Sequence, residues 1–185
     1  MTLTTLPAFG FTWLVLELCC TRRSGANEIS KDRGSLRIIG LSNAFSIFFS
    51  VAAARHLPDF SLPARNFFYI AGIGIFLTGL VLRFYSIFYL GRFFTVNVAI
   101  AADHRLIDSG PYRFIRHPSY TGLLMLFLGL GLGMGNWLSV AILILPIFAA
   151  LLWRMKIEEA ALSEALGEPY RDYLKRTKRL IPLIY

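Results

Sequence analysis

The side chains best suited to chemistry stand together in one polar stretch, from Arg113 to Tyr120, of an otherwise apolar chain. Two guanidinium groups, an imidazole and a phenol lie there, at the start of a long apolar segment. Pro118 suits the first turn of a helix, because proline has no N–H to leave unpaired there. Arg116 and His117 then precede a helix N-terminus, where backbone N–H groups and the helix dipole favour an anion. The stretch therefore predicts a binding site for a carboxylate or another anionic group.

Arg154 and Glu158 form a second polar pair, four residues apart and hence on one face of a helix. The pair is open to two interpretations: part of a functional site, or a surface ion pair that contributes only about 0.3–0.5 kcal/mol. His117 likewise either serves a site or merely caps a helix or bonds a lipid phosphate. No metal site is indicated, because His56, His104 and His117 lack acidic or cysteine partners at ligand spacing.

Composition assigns the chain to the membrane. Hydrophobic residues make up 56% of the 185 residues and charged residues 16%, whereas a soluble domain carries about 25% charged residues. The net charge of +8 does not indicate nucleic-acid binding, because the basic residues flank apolar segments. They are better explained as topology signals and contacts to anionic membrane lipids. The two cysteines, Cys19 and Cys20, are adjacent, so no disulfide between them is expected.

The apolar runs predict an all-α integral membrane protein with about five transmembrane helices, since roughly 20 residues are needed to cross the hydrocarbon. The predicted spans are Leu6–Cys20, Leu36–Leu57, Phe67–Leu90, Ser119–Met134 and Trp137–Trp153. The Gly135-Asn136 turn between the last two spans is so short that they must form an antiparallel helical hairpin. A charged amphipathic helix is expected to continue beyond Trp153 into the C-terminal tail.

Small and charged residues inside the spans predict how the helices pack. Glycines 72, 74 and 79 mark a close-packing face on the third span, and the glycine-rich run from Gly129 to Gly135 does so on the fourth. Arg83 lies inside the third span. It either has a function within the membrane or extends its charged end to the membrane surface.

Sixteen lysines and arginines lie on one predicted side of the membrane, and only Arg55 and Arg65 lie on the other. By the positive-inside rule, the polar stretch and the C-terminal tail are both cytoplasmic. The start of span four and the end of span five then meet at one membrane surface. That arrangement suits a soluble charged co-substrate that meets a lipid-like acceptor.

The residues Arg116-His117-Pro118-Ser119-Tyr120-Thr121-Gly122 carry a resemblance to a known family. They are followed by Glu158-Glu159, Leu162, Gly167, Tyr170, Tyr173 and Leu180-Ile181-Pro182. In this order and spacing they resemble the isoprenylcysteine carboxyl methyltransferase family and the related phospholipid methyltransferases. The likeness covers roughly residues 90 to 182.

The resemblance implies a single membrane methyltransferase domain, residues 1–185, that uses S-adenosyl-L-methionine and releases S-adenosyl-L-homocysteine. Residues 1–90 would be generic N-terminal spans, and residues 91–185 the cofactor-binding and catalytic part. By position, the expected cofactor-binding residues are Asn97, His104, Arg105, Leu106, Ile107, Tyr112, His117, Pro118, Ser119, Tyr120 and Glu158. Arg154 is expected to be catalytic and to bind the acceptor, with Arg116 as a further substrate-binding residue.

The chemistry agrees with this expectation. A carboxylate acceptor is already ionised at neutral pH, so its methylation needs alignment rather than a general base. Arg154 would hold it through a charge-assisted pair. The acceptor is expected to be lipid-like or prenylated, with the multi-pass protein in the plasma membrane of a prokaryote or the endoplasmic reticulum of a eukaryote. Two alternatives stay open: a lipid amine N-methyltransferase, and a lipid-binding membrane scaffold without a cofactor.

Overall fold

The structure is a computed structural model that describes residues 35–94, 105–182 and 184–185. The predicted first span, with its two cysteines, lies outside these residues, as do Asn97 and His104. The helices are α1 (Ser35–His56), α2 (Arg65–Leu90), α3 (Pro118–Met134), α4 (Trp137–Leu166) and α5 (Glu168–Arg176). Short 3-10 turns occupy Pro58–Phe60, Gly91–Phe93 and Gly110–Arg113.

The described residues confirm the predicted all-helical membrane fold, with two refinements. Three helical segments are long and apolar enough to cross a membrane, namely Ile38–His56, Arg65–Phe93 and Trp137–Leu166. The predicted fourth span, α3, is a 17-residue apolar helix and falls short of that length. The fifth span and the charged helix after it form one continuous helix, α4, because no residue before Gly167 ends the hydrogen-bonding pattern.

Two turns meet at one end of the bundle and leave the polar residues at the other. The Leu62 N–H donates to the Gly135 carbonyl at 2.9 Å, and the Asn136 amide donates to the Leu57 carbonyl at 2.9 Å. Gly135 adopts a left-handed backbone with φ +68°, which ends α3 at a conformation that glycine tolerates. The Asn136 side chain then caps α4 by accepting from the Ser139 N–H at 3.0 Å. The predicted hairpin of α3 and α4 is therefore confirmed.

Helices α2 and α3 run antiparallel with their backbones in contact, as the glycine pattern predicts. A Cβ atom on Gly72 would lie 2.6 Å from the Gly129 carbonyl oxygen, and one on Gly79 would lie 2.7 Å from the Gly122 carbonyl oxygen. Such distances are available only to residues without a side chain. Gly74 differs from the prediction, because a Cβ atom there would meet nothing within 4 Å. Gly74 therefore lies outside the interface.

One face of α4 connects the apolar core to the polar end of the bundle. Leu143, Ile147 and Leu151 recur at helical spacing and are completely buried, on a helix that packs against α1 and α3. Arg154 and Glu158 continue the same face by one and two further turns. The stripe that holds α4 in the bundle therefore also sets the direction of the charged pair.

The glycine contact leads to a stability prediction. Gly72→Ala should lower the free energy of unfolding by about 1–3 kcal/mol, because its methyl group forces the α2 and α3 backbones apart. Gly74→Ala is the matched control, and it should raise that free energy by roughly 0.5–1 kcal/mol through better helix propensity. Denaturant unfolding in detergent micelles measures both. Equal effects of the two substitutions would contradict the described α2–α3 contact.

Candidate active site

His117 and Pro118 begin α3 as the sequence predicts. His117 is the residue that precedes the first helical turn, and Pro118 occupies its first position. The N–H groups of Tyr120 and Thr121 both donate to the His117 carbonyl, at 3.0 and 3.1 Å. Because these two N–H groups are engaged and Pro118 has none, this helix end offers few free donors to an anion. Anion binding here must depend mainly on side chains.

The pair of Arg154 and Glu158 is buried rather than superficial. The Arg154 side chain is 1% exposed, and its Nε atom lies 2.9 Å from the Glu158 Oε1 atom. The hydroxyl of Tyr120 donates to the same carboxylate oxygen. Glu158 remains 19% exposed, so this carboxylate faces both the protein interior and the solvent. The surface-pair interpretation therefore does not apply.

His117 lies between two carboxylates. Its Nδ1 atom is 3.5 Å from the Glu158 Oε2 atom, and its Nε2 atom is 3.3 Å from the Glu159 Oε1 atom. The imidazole also stacks on the Tyr120 ring, with centroids 5.4 Å apart and an interplanar angle of 13°. These contacts define both the position and the tilt of the ring, so His117 belongs to the polar cluster and is not a simple helix cap.

Glu159 and Arg179 are central residues whose roles sequence reasoning missed. The Glu159 carboxylate accepts from Arg116 Nε at 2.9 Å, and from Arg179 Nη2 at 2.7 Å. Arg179 Nε lies 3.1 Å from each Glu159 oxygen. The consecutive glutamates of the motif were a signal for Glu159. No local signal identified Arg179, because it lies 20 residues further along the chain.

The C-terminal strap, residues 177–181, runs alongside the motif. The Arg116 N–H donates to the Lys178 carbonyl at 2.8 Å, and the His117 N–H donates to the Arg179 carbonyl at 3.0 Å. Thr121 adds a bond from its hydroxyl to the Leu180 carbonyl at 2.8 Å. The guanidinium of Arg116 donates to two further carbonyl groups, those of Leu174 and Thr177. Arg116 therefore anchors the tail, while its predicted contact with the acceptor stays a prediction.

Arg83 reaches across the bundle to the start of α3. It is 6% exposed, and its Nη1 atom donates to the carbonyl and to the hydroxyl of Ser119, at 3.2 Å each. The guanidinium is thus buried against a neighbouring helix, which excludes the snorkelling interpretation. Together with the adjacent close contact between α2 and Gly122, it fixes the helix turn that carries His117 and Tyr120.

The loop before the motif contributes the remaining predicted residues. Arg105 is exposed and lies near the Phe93 ring, 5.9 Å from its centroid, whereas Leu106 and Ile107 are half-buried. Asp108 forms an ion pair with Arg176 of α5. These contacts hold residues 105–108 against the polar end of the bundle.

Two buried tyrosines connect α5 to the motif loop. The Tyr173 hydroxyl donates to the Tyr112 carbonyl at 2.6 Å, and the Tyr112 hydroxyl donates to the Ser86 carbonyl at 3.2 Å. Burial raises the pKa of Tyr173 to about 12, so its phenol remains a donor at neutral pH. Tyr112, a predicted cofactor contact, joins α2 to α5 in this structure.

This arrangement predicts a difference between two Tyr→Phe substitutions. Tyr173→Phe should lower the free energy of unfolding by about 1–3 kcal/mol, because it leaves the buried Tyr112 carbonyl without its donor. Tyr89→Phe removes a partly exposed hydroxyl that bonds Ser109 at 2.9 Å, and its effect should stay within about 0.5 kcal/mol. Denaturant unfolding of both variants in one detergent measures the difference. A Tyr173→Phe variant as stable as Tyr89→Phe would show that the buried bond contributes nothing.

Comparisons with known proteins agree on one family. The model of the "Isoprenylcysteine carboxyl methyltransferase (ICMT) family" matches residues 72–164. A probable protein-S-isoprenylcysteine O-methyltransferase from Oryza sativa subsp. indica is 27% identical over 150 residues, with 78% of each chain covered. The protein-S-isoprenylcysteine O-methyltransferase of Schizosaccharomyces pombe is 32% identical over 116 residues, which are 62% of this chain and 49% of that protein.

A solved structure of a eukaryotic intramembrane Ras methyltransferase of the same family has a similar fold. Its TM-score is 0.63 at 24% identity, over 83% of this chain and 54% of that chain. At this identity the likeness concerns the fold alone, and the present chain spans about half the length of that protein. The family match is independent of it, covers half of the chain and includes Arg116, His117, Arg154 and Glu158. This protein therefore belongs to the isoprenylcysteine carboxyl methyltransferase family, and the prediction of a membrane methyltransferase is confirmed.

Proposed function

We propose that this protein transfers a methyl group from S-adenosyl-L-methionine to the carboxylate of a lipid-like acceptor of the isoprenylcysteine kind. The products are a methyl ester and S-adenosyl-L-homocysteine. The observation that carries the proposal is the burial of Arg154, whose guanidinium ends an apolar helix face next to Glu158 and Tyr120. Glu158 already meets this buried cation at 2.9 Å, and the planar fork of a guanidinium can bind an acceptor carboxylate as well.

The position of Arg154 suits an acceptor held partly in the membrane. The buried stripe of Leu143, Ile147 and Leu151 ends one turn before it, so apolar and charged surroundings meet at this residue. An acceptor with an apolar chain in the bilayer can present its carboxylate here. Arg154 then orients the carboxylate through a charge-assisted hydrogen bond. Because the acceptor is already ionised, the protein's task is alignment.

The side chains of the site also fit the methyl donor. S-adenosyl-L-methionine supplies, when bound, an electrophilic methyl group on a sulfonium sulfur. Its ammonium group matches Glu158, the more exposed carboxylate, and its carboxylate matches the cationic side of the cluster around His117. We assign the rest of the donor site to the loop before α3 and the first turn of α3: Asn97, His104, Arg105, Leu106, Ile107, Tyr112, Pro118, Ser119 and Tyr120.

The charge of the cluster favours a carboxylate acceptor over an amine. Arg116, Arg154 and Arg179 face the two glutamates 158 and 159. Three guanidinium groups outnumber two carboxylates even when His117 is neutral. A cationic amine acceptor would meet net repulsion and would also need to lose a proton, whereas a carboxylate meets attraction. The lipid amine N-methyltransferase is therefore the second candidate.

Two assays test the proposed function. Methyl incorporation into a prenylated cysteine analogue, compared with phosphatidylethanolamine, distinguishes carboxylate from amine methylation. Calorimetric titration of the detergent-solubilised protein with S-adenosyl-L-homocysteine tests the donor site. Folded protein that binds no S-adenosyl-L-homocysteine would favour a lipid-binding scaffold instead.

We further propose that the site lies on the cytoplasmic face, on the basis of the asymmetry in lysine and arginine. The test uses single cysteines at Asp172, 67% exposed on α5, and at Asp59, exposed in the turn at the other end, after both native cysteines are replaced by serine. An impermeant thiol reagent should label the cysteine at position 59 in right-side-out vesicles and that at position 172 only in inverted ones. The reverse pattern would refute the assigned orientation.

Substitutions of Arg154 separate acceptor binding from donor binding. Arg154→Ala should lower kcat/KM for a carboxylate acceptor roughly 10- to 100-fold, the range expected for one charge-assisted hydrogen bond. Affinity for S-adenosyl-L-homocysteine should stay nearly unchanged. Arg154→Lys should restore activity only in part, because lysine keeps the charge without the planar fork. The control Lys156→Ala removes an exposed cation two residues away and should have no effect.

Two other results would point to other roles. If Arg154→Ala and Glu158→Ala weaken donor binding to a similar degree, Arg154 is only the ion-pair partner of Glu158. If Arg154→Ala leaves activity intact or raises it with an amine acceptor, the lipid amine N-methyltransferase is the better assignment.

A further inference from the structure

The C-terminal strap lies beyond residues 72–164, the part of the chain that the family model matches, although its Leu180 and Ile181 belong to the sequence resemblance. We propose that the strap is part of the active site and that Arg179 is a positioning residue, which orients His117 by holding the Glu159 carboxylate. The proposal rests on the proposed function, because its test uses S-adenosyl-L-homocysteine as the ligand. It assigns Arg179 no contact with the donor or the acceptor.

The backbone of the strap already fixes the position of the His117 main chain. Residues Arg116 and His117 donate their N–H groups to consecutive strap carbonyls, at 2.8 and 3.0 Å, and Ile115 pairs with Lys178 in a parallel bridge. Pro118, the residue after His117, begins α3. The main chain is therefore constrained on both sides of His117. The remaining freedom of the imidazole lies in its side-chain torsions, and its carboxylate partners set these.

Glu159 is one of these carboxylate partners, and Arg179 holds the Glu159 carboxylate in place. Three of the hydrogen bonds that Glu159 accepts come from Arg179, two through Nε and one through Nη2. The Oε2 atom accepts both the 2.7 Å bond and one of the 3.1 Å bonds, whereas Oε1 also serves Arg116 and His117. A two-pronged guanidinium contact fixes the plane of a carboxylate as well as its position.

Removal of the Arg179 contact should change the orientation of the His117 imidazole. Without Arg179, the Oε2 atom loses these donors inside a side chain that is only 10% exposed. The carboxylate is then expected to rotate, so that both oxygens share Arg116 and His117. Rotation moves the Oε1 atom that now lies 3.3 Å from His117 Nε2. The imidazole would no longer be held in its stacked orientation on Tyr120.

The chain offers a matched control for the charge itself. Lys178 is the preceding residue and is exposed, and the strap uses its carbonyl rather than its ammonium group. Lys178→Gln therefore removes the same charge from the same segment and leaves the Glu159 contacts intact. Arg179→Lys keeps the charge but replaces the planar fork by a single ammonium.

The experiment is calorimetric titration of the full-length protein in detergent with S-adenosyl-L-homocysteine, beside unfolding midpoints and kcat at saturating donor. Arg179→Gln should weaken binding at least tenfold, Arg179→Lys a few-fold, and Lys178→Gln less than twofold. In a Glu159→Gln background, Arg179→Gln should change the affinity less than twofold, because the residue acts through that carboxylate. If Arg179 served fold stability alone, Arg179→Gln would lower the unfolding midpoint, and its effect on donor affinity would not depend on Glu159.

Several results would overturn the proposal. Wild-type affinity in a folded Arg179→Gln variant, equal losses in Lys178→Gln, or an undiminished loss in the Glu159→Gln background would each do so. If Arg179→Gln does not fold, wild-type affinity in Arg179→Lys would overturn it, and a few-fold loss would support it. Absence of S-adenosyl-L-homocysteine binding by the wild-type protein would overturn both the proposed function and the strap proposal. Normal wild-type binding with an unaffected Arg179→Gln sinks the strap proposal alone.

Discussion

A carboxylate withdrawn from water at the end of an apolar helix needs cationic partners close by, and Glu159 imposes this requirement on the whole polar end of the bundle. Its partners Arg116 and His117 come from the loop before α3, and Arg179 comes from the strap after α5. Buried ions cost several kcal/mol each unless their hydrogen bonds are complete. Three segments that are distant in sequence must therefore arrive together before any of these charges is stable in place.

Helix α4 joins two environments through a single face. Its apolar residues pack the core, and the next two turns of the same face bring Arg154 and Glu158 to the polar cluster. Since a helix is stiff over such a distance, the depth of the core packing fixes the depth of Arg154. The proposed site for a lipid-like acceptor requires this property, because the apolar chain and the reacting carboxylate must be bound at set heights.

The contact between α2 and α3 supplies the opposing wall. Glycines let the two backbones touch, and Arg83 adds hydrogen bonds to Ser119 where α3 begins. An arginine placed near a helix N-terminus opposes the helix dipole. Its burial there therefore depends on the hydrogen bonds that it donates to the Ser119 carbonyl and hydroxyl. The start of α3 in turn presents His117 to both glutamates and Tyr120 to Glu158, so the geometry of the site begins with helix packing inside the membrane.

Sequence alone determined the features that depend on neighbouring residues. Long apolar runs predicted the membrane helices, Pro118 the start of α3, Gly135-Asn136 the hairpin, and the four-residue spacing the pairing of Arg154 with Glu158. Only tertiary structure decided that this pair is buried, that Arg83 bonds Ser119 36 residues away, and that Arg179 holds Glu159. It also decided that Gly74 lies outside the α2–α3 interface. Hydropathy and turn chemistry act within a few residues, whereas these contacts depend on how helices cross and where the tail returns, which no local pattern encodes.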